Sequence, residues 1–245
     1  MRCFARLLAA TTLAFSIAPS LSAQTPAEPA AFTLASVQKA ADTGDAEAIA
    51  TVGWFYETGR EVAADTKRAA SFYRTAMAKG DAFAKWRMGV LIDKGEVAGT
   101  SAQAIQYFRE AAAHKSAGAM ASLGVMHATG RGVEKDYEAA MRYYQAAARM
   151  GSAHGVEGIG VLYANGQGVK QDMKEALAHW LAAAAAGDED ATALLMKFMP
   201  ASGDAAAQAI YDRAGVIADN FGIGSANTAD LAPVAVSGEG HTLSN

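Results

Sequence analysis

The sequence contains one cysteine, Cys3, among 245 residues. A single cysteine cannot close an intrachain disulfide, so the fold must be held by its apolar core. Cys3 also lies before the first apolar run, whereas a lipoprotein cysteine would end that run. The sequence therefore predicts neither a disulfide framework nor a lipid anchor at Cys3.

Proline is scarce and unevenly placed. None of the five prolines lies between Ala30 and Met199. Helix interiors exclude proline because it lacks an N–H and clashes with the preceding turn. The central part of the chain is therefore free to form successive helices.

Long apolar runs and excess basic charge are also lacking. The first apolar run, residues 7–18, is shorter than the roughly 20 residues that a membrane-spanning helix needs, so we predict no integral membrane span. Lys and Arg number 21 against 25 Asp and Glu, a net charge of −4. Nucleic-acid binding needs a basic surface, so we expect no nucleic-acid partner.

The N-terminus has the organisation of a secretory signal peptide. Arg2 and Arg6 precede the apolar run, and small residues follow it up to Ala23. We predict a signal peptide over residues 1–23 and a short leader over 24–32. The mature protein is then expected to be periplasmic or secreted.

A repeated motif fills most of the remaining chain. The segment LGVMHATGRGVEKD at 123–136 matches IGVLYANGQGVKQD at 159–172. The same spacing of 36, 35 and 36 residues separates the motif glycines Gly53, Gly89, Gly124 and Gly160. A period of about 34–36 residues is the length of two helices and two turns. The period predicts four helix–turn–helix repeats, which we number one to four: about 45–80, 81–115, 116–151 and 152–187.

The ends of the array depart from the repeat. A half repeat opens the predicted solenoid, which extends over residues 33–221, with Ser36 as the expected N-cap of its helix. C-terminal cap helices are predicted at 188–199 and 204–221, because terminal repeats must cover an exposed apolar face. Residues 222–245 have no helical period and are predicted to be a disordered tail. Before the second helices, four residues are expected to be N-caps: Asp65, Ser101, Asp136 and Asp172.

The loop at 160–172 superficially suggests a phosphate site, because glycines converge near Lys170. Repeat one has Ala63 at the position of Lys170, and repeat three has Glu134 there, followed by Lys135, as expected of a solvated loop residue. We therefore interpret Gly166 and Gly168 as turn glycines with positive φ.

The repeats resemble the Sel-one-like (Sel1-like) repeat, a relative of the tetratricopeptide repeat. The fourth copy, IGVLYANGQGVKQDMKEALAHWLAAAAAG, is close to the full pattern of Leu-Gly-x-x-Tyr, Gly-x-Gly-Val-x-x-Asp and Ala-x-x-Trp-Tyr-x-x-Ala-Ala-x-x-Gly. The resemblance implies an all-α fold, a right-handed α-solenoid of helix–turn–helix repeats. It also implies a non-enzymatic scaffold for protein–protein or peptide interaction. Similar exported bacterial proteins act as periplasmic regulators, envelope assembly factors or host-contact adaptors.

No catalytic set emerges from the sequence. Ser36 and Lys39 match Ser-x-x-Lys but lack the companion motifs of penicillin-recognising enzymes. Relatives labelled β-lactamase-like carry a disulfide in each repeat, which this chain cannot form. No histidine pair has metal-ligand spacing. We expect no catalytic, cofactor-binding or metal-binding residue and no cofactor, and a hydrolase is the least favoured alternative.

Candidate binding residues lie on the first helices, which line the concave face in the parent fold. They are the residues that differ between repeats on the stripe not used for packing: Trp54, Phe83, Trp86, Arg87, His154 and Glu157. Aromatic residues and arginine are common binding anchors. A protein or peptide partner is expected, with cell-wall material or polysaccharide as the alternative. The competing interpretation is that Trp54 and Trp86 only fill the N-terminal cap or the groove of the superhelix.

Overall fold

The computed structural model describes residues 33–198 and 205–223. The predicted signal peptide, the leader and the tail beyond residue 223 lie outside these ranges. The described residues contain α-helices and no strand, which confirms the prediction of an all-α helical solenoid. The helices are α1 (Leu34–Asp42), α2 (Ala46–Thr58), α3 (Thr66–Ala78), α4 (Ala82–Asp93), α5 (Ser101–Ala113), α6 (Ala117–Thr129), α7 (Tyr137–Arg149), α8 (Ala153–Asn165), α9 (Met173–Ala185), α10 (Glu189–Phe198) and α11 (Ala205–Phe221).

Side-chain caps fix where these helices begin. Asp65, Asp136 and Asp172 cap α3, α7 and α9 as predicted, each accepting a hydrogen bond from a backbone N–H of the first turn. The expectation for Ser101 was wrong, because Thr100 caps α5 and Ser101 is its first residue. Thr100 forms a capping box with Gln103, in which each side chain accepts from the other's backbone N–H.

The first helix shows a similar displacement. Thr33, not Ser36, is the N-cap of α1, so that expectation was also wrong. Ser36 occupies the third helical position, where its Oγ accepts from the Thr33 N–H at 3.1 Å. In both cases a threonine upstream holds the extended backbone that an N-cap requires.

The motif glycines allow helices within a repeat to pack closely. A Cβ atom on Gly160 would lie 2.6 Å from Cδ1 of Trp180. The three other motif glycines lie against the corresponding aromatic rings of Tyr73, Phe108 and Tyr144. The aromatic residue of the second helix therefore packs directly on the backbone of the first helix.

The loop glycines are turn residues, also as predicted. Gly166 ends α8 with φ +66°, and Gly168 has φ +71°. The equivalent of Gly168 in repeat one is Glu61, which adopts φ +63° despite its side chain. Glu61 Oε2 accepts from the Leu34 N–H at 2.9 Å and so ties this loop to α1.

The even-numbered helices from α2 to α10, here called the inner helices, form one side of the array. Each inner helix contacts the next one, whereas α3, α5, α7 and α9 do not contact one another. Such asymmetry is expected when a solenoid curves with one helix layer on the inside. The first helices of the repeats therefore line the concave side.

The C-terminal end of the array is closed by α10 and α11, which both pack on α9. Trp180 is the largest fully buried side chain, with 2% exposure. Its ring lies 5.7 Å from that of Phe198. Ile223 is buried in the same core and donates its N–H to the carbonyl of Ala218. These helices cover the apolar face that repeat four would otherwise expose.

Candidate functional site

A groove runs along the inner helices α4, α6, α8 and α10. It consists of two adjoining concavities that share Val125 and His154. The N-terminal concavity has a volume of about 400 Å³ and lies mainly between α4 and α6. The C-terminal concavity has a volume of about 660 Å³ and lies between α6, α8 and α10. Four of the six predicted binding residues line them: Trp86 and Arg87 line the N-terminal concavity, Glu157 lines the C-terminal one, and His154 lines both.

Trp86 and Phe83 form an aromatic pair beside the N-terminal concavity. Their rings meet edge to face at 5.7 Å, and Phe83 is 37% exposed. Trp86 Nε1 donates to Ser122 Oγ at 3.1 Å, and its ring covers Gly118 of the next repeat. Trp86 therefore joins repeats two and three while one part of it lines the groove.

Arg87 is committed to an ion pair between repeats one and two. Its Nε donates to Glu57 Oε2 at 3.0 Å, and a second guanidinium nitrogen contacts Glu57 Oε1. The Tyr73 hydroxyl donates to the same carboxylate at 2.6 Å. Burial lowers the pKa of Arg87, but Glu57 outweighs it and leaves that pKa raised. The pKa of Tyr73 is raised by burial and by Glu57.

Trp54 lies apart from this pair on α2. It is half-buried and meets Phe55 edge to face at 5.5 Å. The guanidinium of Arg60 lies 5.7 Å from its ring centroid. Neither Trp54 nor Phe83 lines either concavity, so the structure separates both from the other four candidates.

His154 and Glu157 lie together on α8 at the C-terminal concavity. His154 Nδ1 is 3.6 Å from Glu157 Oε2 and 3.9 Å from Asp188 Oδ2. Glu157 is only 8% exposed. Burial, and then the charges of Asp188 and Asp190, raise the pKa of Glu157 to about 7. This carboxyl group therefore titrates near neutral pH.

Tyr144 belongs to the same concavity but was not among the predicted site residues. Its motif position assigned it to the core, and it is indeed only 5% exposed. Its ring reaches the concavity because Gly158 has no side chain, and a Cβ there would lie 2.6 Å from Tyr144 Cζ. Burial and the Glu157 charge raise the pKa of Tyr144. The sequence signal was Gly158 itself, where repeats one to three have Thr51, Arg87 and Ser122.

Within residues 33–198 and 205–223, no three His, Cys, Asp or Glu side chains are grouped closely enough to hold a metal ion. None of the described helices is long and apolar enough to cross a membrane.

Comparison with solved structures gives neighbours of the same architecture. The chain is similar to a Sel1 repeat protein from Oxalobacter formigenes, with 27% identity, a TM-score of 0.56, and coverage of 75% of this chain and 84% of that one. It is also similar to a protective antigen of uropathogenic Escherichia coli that displays an SLR fold, with 26% identity and a TM-score of 0.55. The match covers 78% of this chain but only 44% of the antigen. Comparison with curated proteins gave no significant match.

An immunity protein from Pseudomonas aeruginosa shares the fold at 19% identity, with a TM-score of 0.55 and coverage of 82% of this chain and 79% of that one. Family comparison matches the Sel1 repeat at residues 46–81, 82–116, 117–152 and 157–188. Such repeats generally form non-enzymatic scaffolds that mediate protein interactions. The chain, with its four matched copies, belongs to the Sel1 repeat family.

Proposed function

We propose that this protein is a binding scaffold that acts outside the cytoplasm and holds a protein or peptide partner in its inner groove. The observation that carries the proposal is where the repeats differ. The motif glycines and aromatic rings serve packing, whereas the groove adds residues that change from repeat to repeat, such as Trp86 and Glu157, to the recurring valines Val90, Val125 and Val161. A solenoid binds through such a variable concave surface.

The groove offers chemistry suited to a polypeptide. Its N-terminal concavity has an aromatic wall at Trp86, and its C-terminal concavity combines Val125 and Val161 with the carboxyl groups of Glu157 and Asp190. Protein interfaces characteristically combine apolar anchors with a few polar groups.

Location outside the cytoplasm is supported by the N-terminal sequence alone. Arginines ahead of an uncharged apolar run are typical of a cleaved signal peptide. N-terminal sequencing of the protein isolated from the bacterial envelope should begin between Ser22 and Ala27. A protein that is recovered in the cytoplasm and retains Met1 would contradict export.

Site-specific photo-crosslinking tests the groove. A photoreactive amino acid at Val125, which lines both concavities, should give a discrete crosslinked partner in the envelope fraction. The same residue at Gln106 on the exposed surface of α5 is the matched control. Equal crosslinking from both positions, or none from Val125, would refute binding in the groove.

A further inference from the structure

Glu157 occupies a position that is a buried alanine in repeats one and three. At the repeat spacing of 36, 35 and 36 residues, its equivalents are Ala50, Trp86 and Ala121. Ala50 and Ala121 have 0% exposure. Repeat four therefore carries a carboxyl group at a place that needs none for packing.

The junction between repeats one and two provides an internal comparison. There Glu57 receives a hydrogen bond from Tyr73 and an ion pair from Arg87. All three groups satisfy one another, so the space between the repeats is filled by the chain's own side chains. At this junction the carboxylate therefore accepts hydrogen bonds from both the tyrosine and the guanidinium.

The junction between repeats three and four keeps the tyrosine but lacks both the carboxylate and the guanidinium of the first junction. Tyr144 is the equivalent of Tyr73, but Ala128 replaces Glu57 and Gly158 replaces Arg87. These two small residues both line the C-terminal concavity. The cavity therefore opens where the first junction holds its ion pair.

Two polar groups of this concavity, those of Glu157 and Tyr144, lack hydrogen-bond partners in the described residues. Neither the Glu157 carboxylate nor the Tyr144 hydroxyl hydrogen-bonds to a described residue, although both residues are more than nine-tenths buried. The nearest basic side chain is that of His154, whose Nδ1 lies 3.6 Å from Glu157 Oε2. Both residues line the open concavity, so their oxygens are available to a ligand that donates hydrogen bonds to both groups.

The charges around the site favour a cation. Asp188 and Asp190 both act on Glu157 from the start of α10. Lys197 lines the concavity with its ammonium 5.0 Å from the Phe198 ring, whereas Arg131 pairs with Asp93 at 2.8 Å. Carboxylates therefore outnumber the available basic groups at this end of the groove.

We propose that the C-terminal concavity receives an arginine side chain of the bound partner, whose guanidinium pairs with the Glu157 carboxylate and donates to the Tyr144 hydroxyl oxygen. This inference rests on the proposed function, since it names one side chain of the groove's partner. The aliphatic stem of the arginine packs against Val125, Val161 and Leu194, which line the same concavity. The guanidinium replaces the one that Arg87 supplies at the first junction.

Arginine is favoured over lysine by the geometry of the acceptors. A carboxylate and a separate hydroxyl oxygen need donors in different directions. The guanidinium presents five N–H groups in a rigid plane, whereas an ammonium is a compact and strongly hydrated charge.

The experiment titrates the full chain, labelled with ¹⁵N, with N-acetyl-arginine methylamide near neutral pH. The amide signals of Gly158 and Val161 should shift and saturate. The citrulline analogue has the same shape without the charge and should bind at least about tenfold more weakly, since hydrogen bonds to charged groups are the strong ones. The corresponding lysine analogue is titrated in the same way. The proposal would be overturned by equal shifts with the citrulline analogue, by equal affinity for the lysine analogue, or by the lack of a saturable shift at Gly158.

Two variants identify the carboxylate. Glu157→Gln keeps the shape, and Glu157→Ala restores the residue of repeats one and three, so both should fold. Each should weaken binding of the arginine analogue by about tenfold or more, as expected when a charged partner is lost. The control variant Glu134→Gln, in an exposed loop, should leave the affinity for the arginine analogue unchanged. Binding retained by both Glu157 variants refutes the assignment.

Failure of this inference can be told apart from failure of the proposed function. Partner crosslinking from Val125 without binding of the arginine analogue would refute the arginine site alone. Binding of the analogue at Gly158 without any crosslinked partner would refute the scaffold function and leave the cation site in place.

Discussion

Replacing Glu157 by glutamine should make the stability of this protein less sensitive to pH. The side chain is 8% exposed, and its pKa is raised from 4.5 to about 7 by burial and by Asp188 and Asp190. The folded state therefore holds the proton more tightly than the unfolded chain does. The contribution of protonated Glu157 to stability is fully present below the unfolded pKa and is lost as pH rises through the folded pKa.

The magnitude follows from that difference in pKa. A tenfold change in proton affinity corresponds to about 1.4 kcal/mol, so ionising Glu157 lowers the free energy of unfolding by about 3 kcal/mol between about pH 4.5 and pH 8. Glutamine has a similar shape and never ionises. Glu157→Gln should therefore match the parent at the acidic end of this range and exceed its stability by about 3 kcal/mol at the alkaline end.

Urea denaturation followed by far-UV circular dichroism at several pH values measures this difference. Subtracting the free energy of unfolding of the variant from that of the parent removes the contributions of groups that titrate in both proteins. One of these is His179, whose pKa is lowered by burial. Glu134→Gln is the matched control, because Glu134 is exposed and its replacement should leave the pH profile of the parent intact. A parent-minus-variant difference that changes by less than about 1 kcal/mol over this range would refute the reasoning.

Other substitutions test the packing. Trp180→Ala should cost about 3–5 kcal/mol in denaturant melts, because it empties the core between repeat four and its cap helices; a melt that overlays the parent would contradict this role. Gly160→Ala should destabilise by about 1–3 kcal/mol, since its Cβ would lie 2.6 Å from Trp180 Cδ1. Gly215→Ala on α11 is its control, having open space around it, and should stabilise by up to about 1 kcal/mol. Arg87→Ala should cost about 3 kcal/mol, because it leaves the buried Glu57 carboxylate without its cation; an unchanged melt would show that this pair is dispensable.

The fold was accessible from sequence because it is built from local rules repeated at a fixed spacing. A motif glycine in a helix interior predicts the close approach of a neighbouring helix, and Trp180 of α9 lies against Gly160 in this way. A loop glycine between two helices predicts positive φ, as Gly166 shows. Both depend only on residues of the same repeat, so the period itself reveals them.

Capping was predictable in kind but less so in position. The loop of repeat two has diverged from the repeat motif, and the repeat spacing alone predicted the N-cap at Ser101. The structure uses Thr100, because the choice depends on which residue adopts the extended backbone and which side chain closes the capping box. The repeat period therefore predicts the position of an N-cap only to within about one residue.

The candidate site shows what only the tertiary structure decided. Sequence variation identified Arg87 and Glu157 as exceptions to the repeat, but it could not show that Arg87 pairs closely with Glu57, whereas the nearest basic group to Glu157 is the His154 imidazole at 3.6 Å. That difference depends on Glu57 and Tyr73 reaching Arg87 from repeat one, and on Ala128 and Gly158 leaving space beside Glu157. The sequence by itself determined the repeat, its helices and their internal packing, because each rests on neighbours along the chain. Only the stacking of repeats decided which charges are satisfied, because burial and pairing depend on side chains from adjacent repeats.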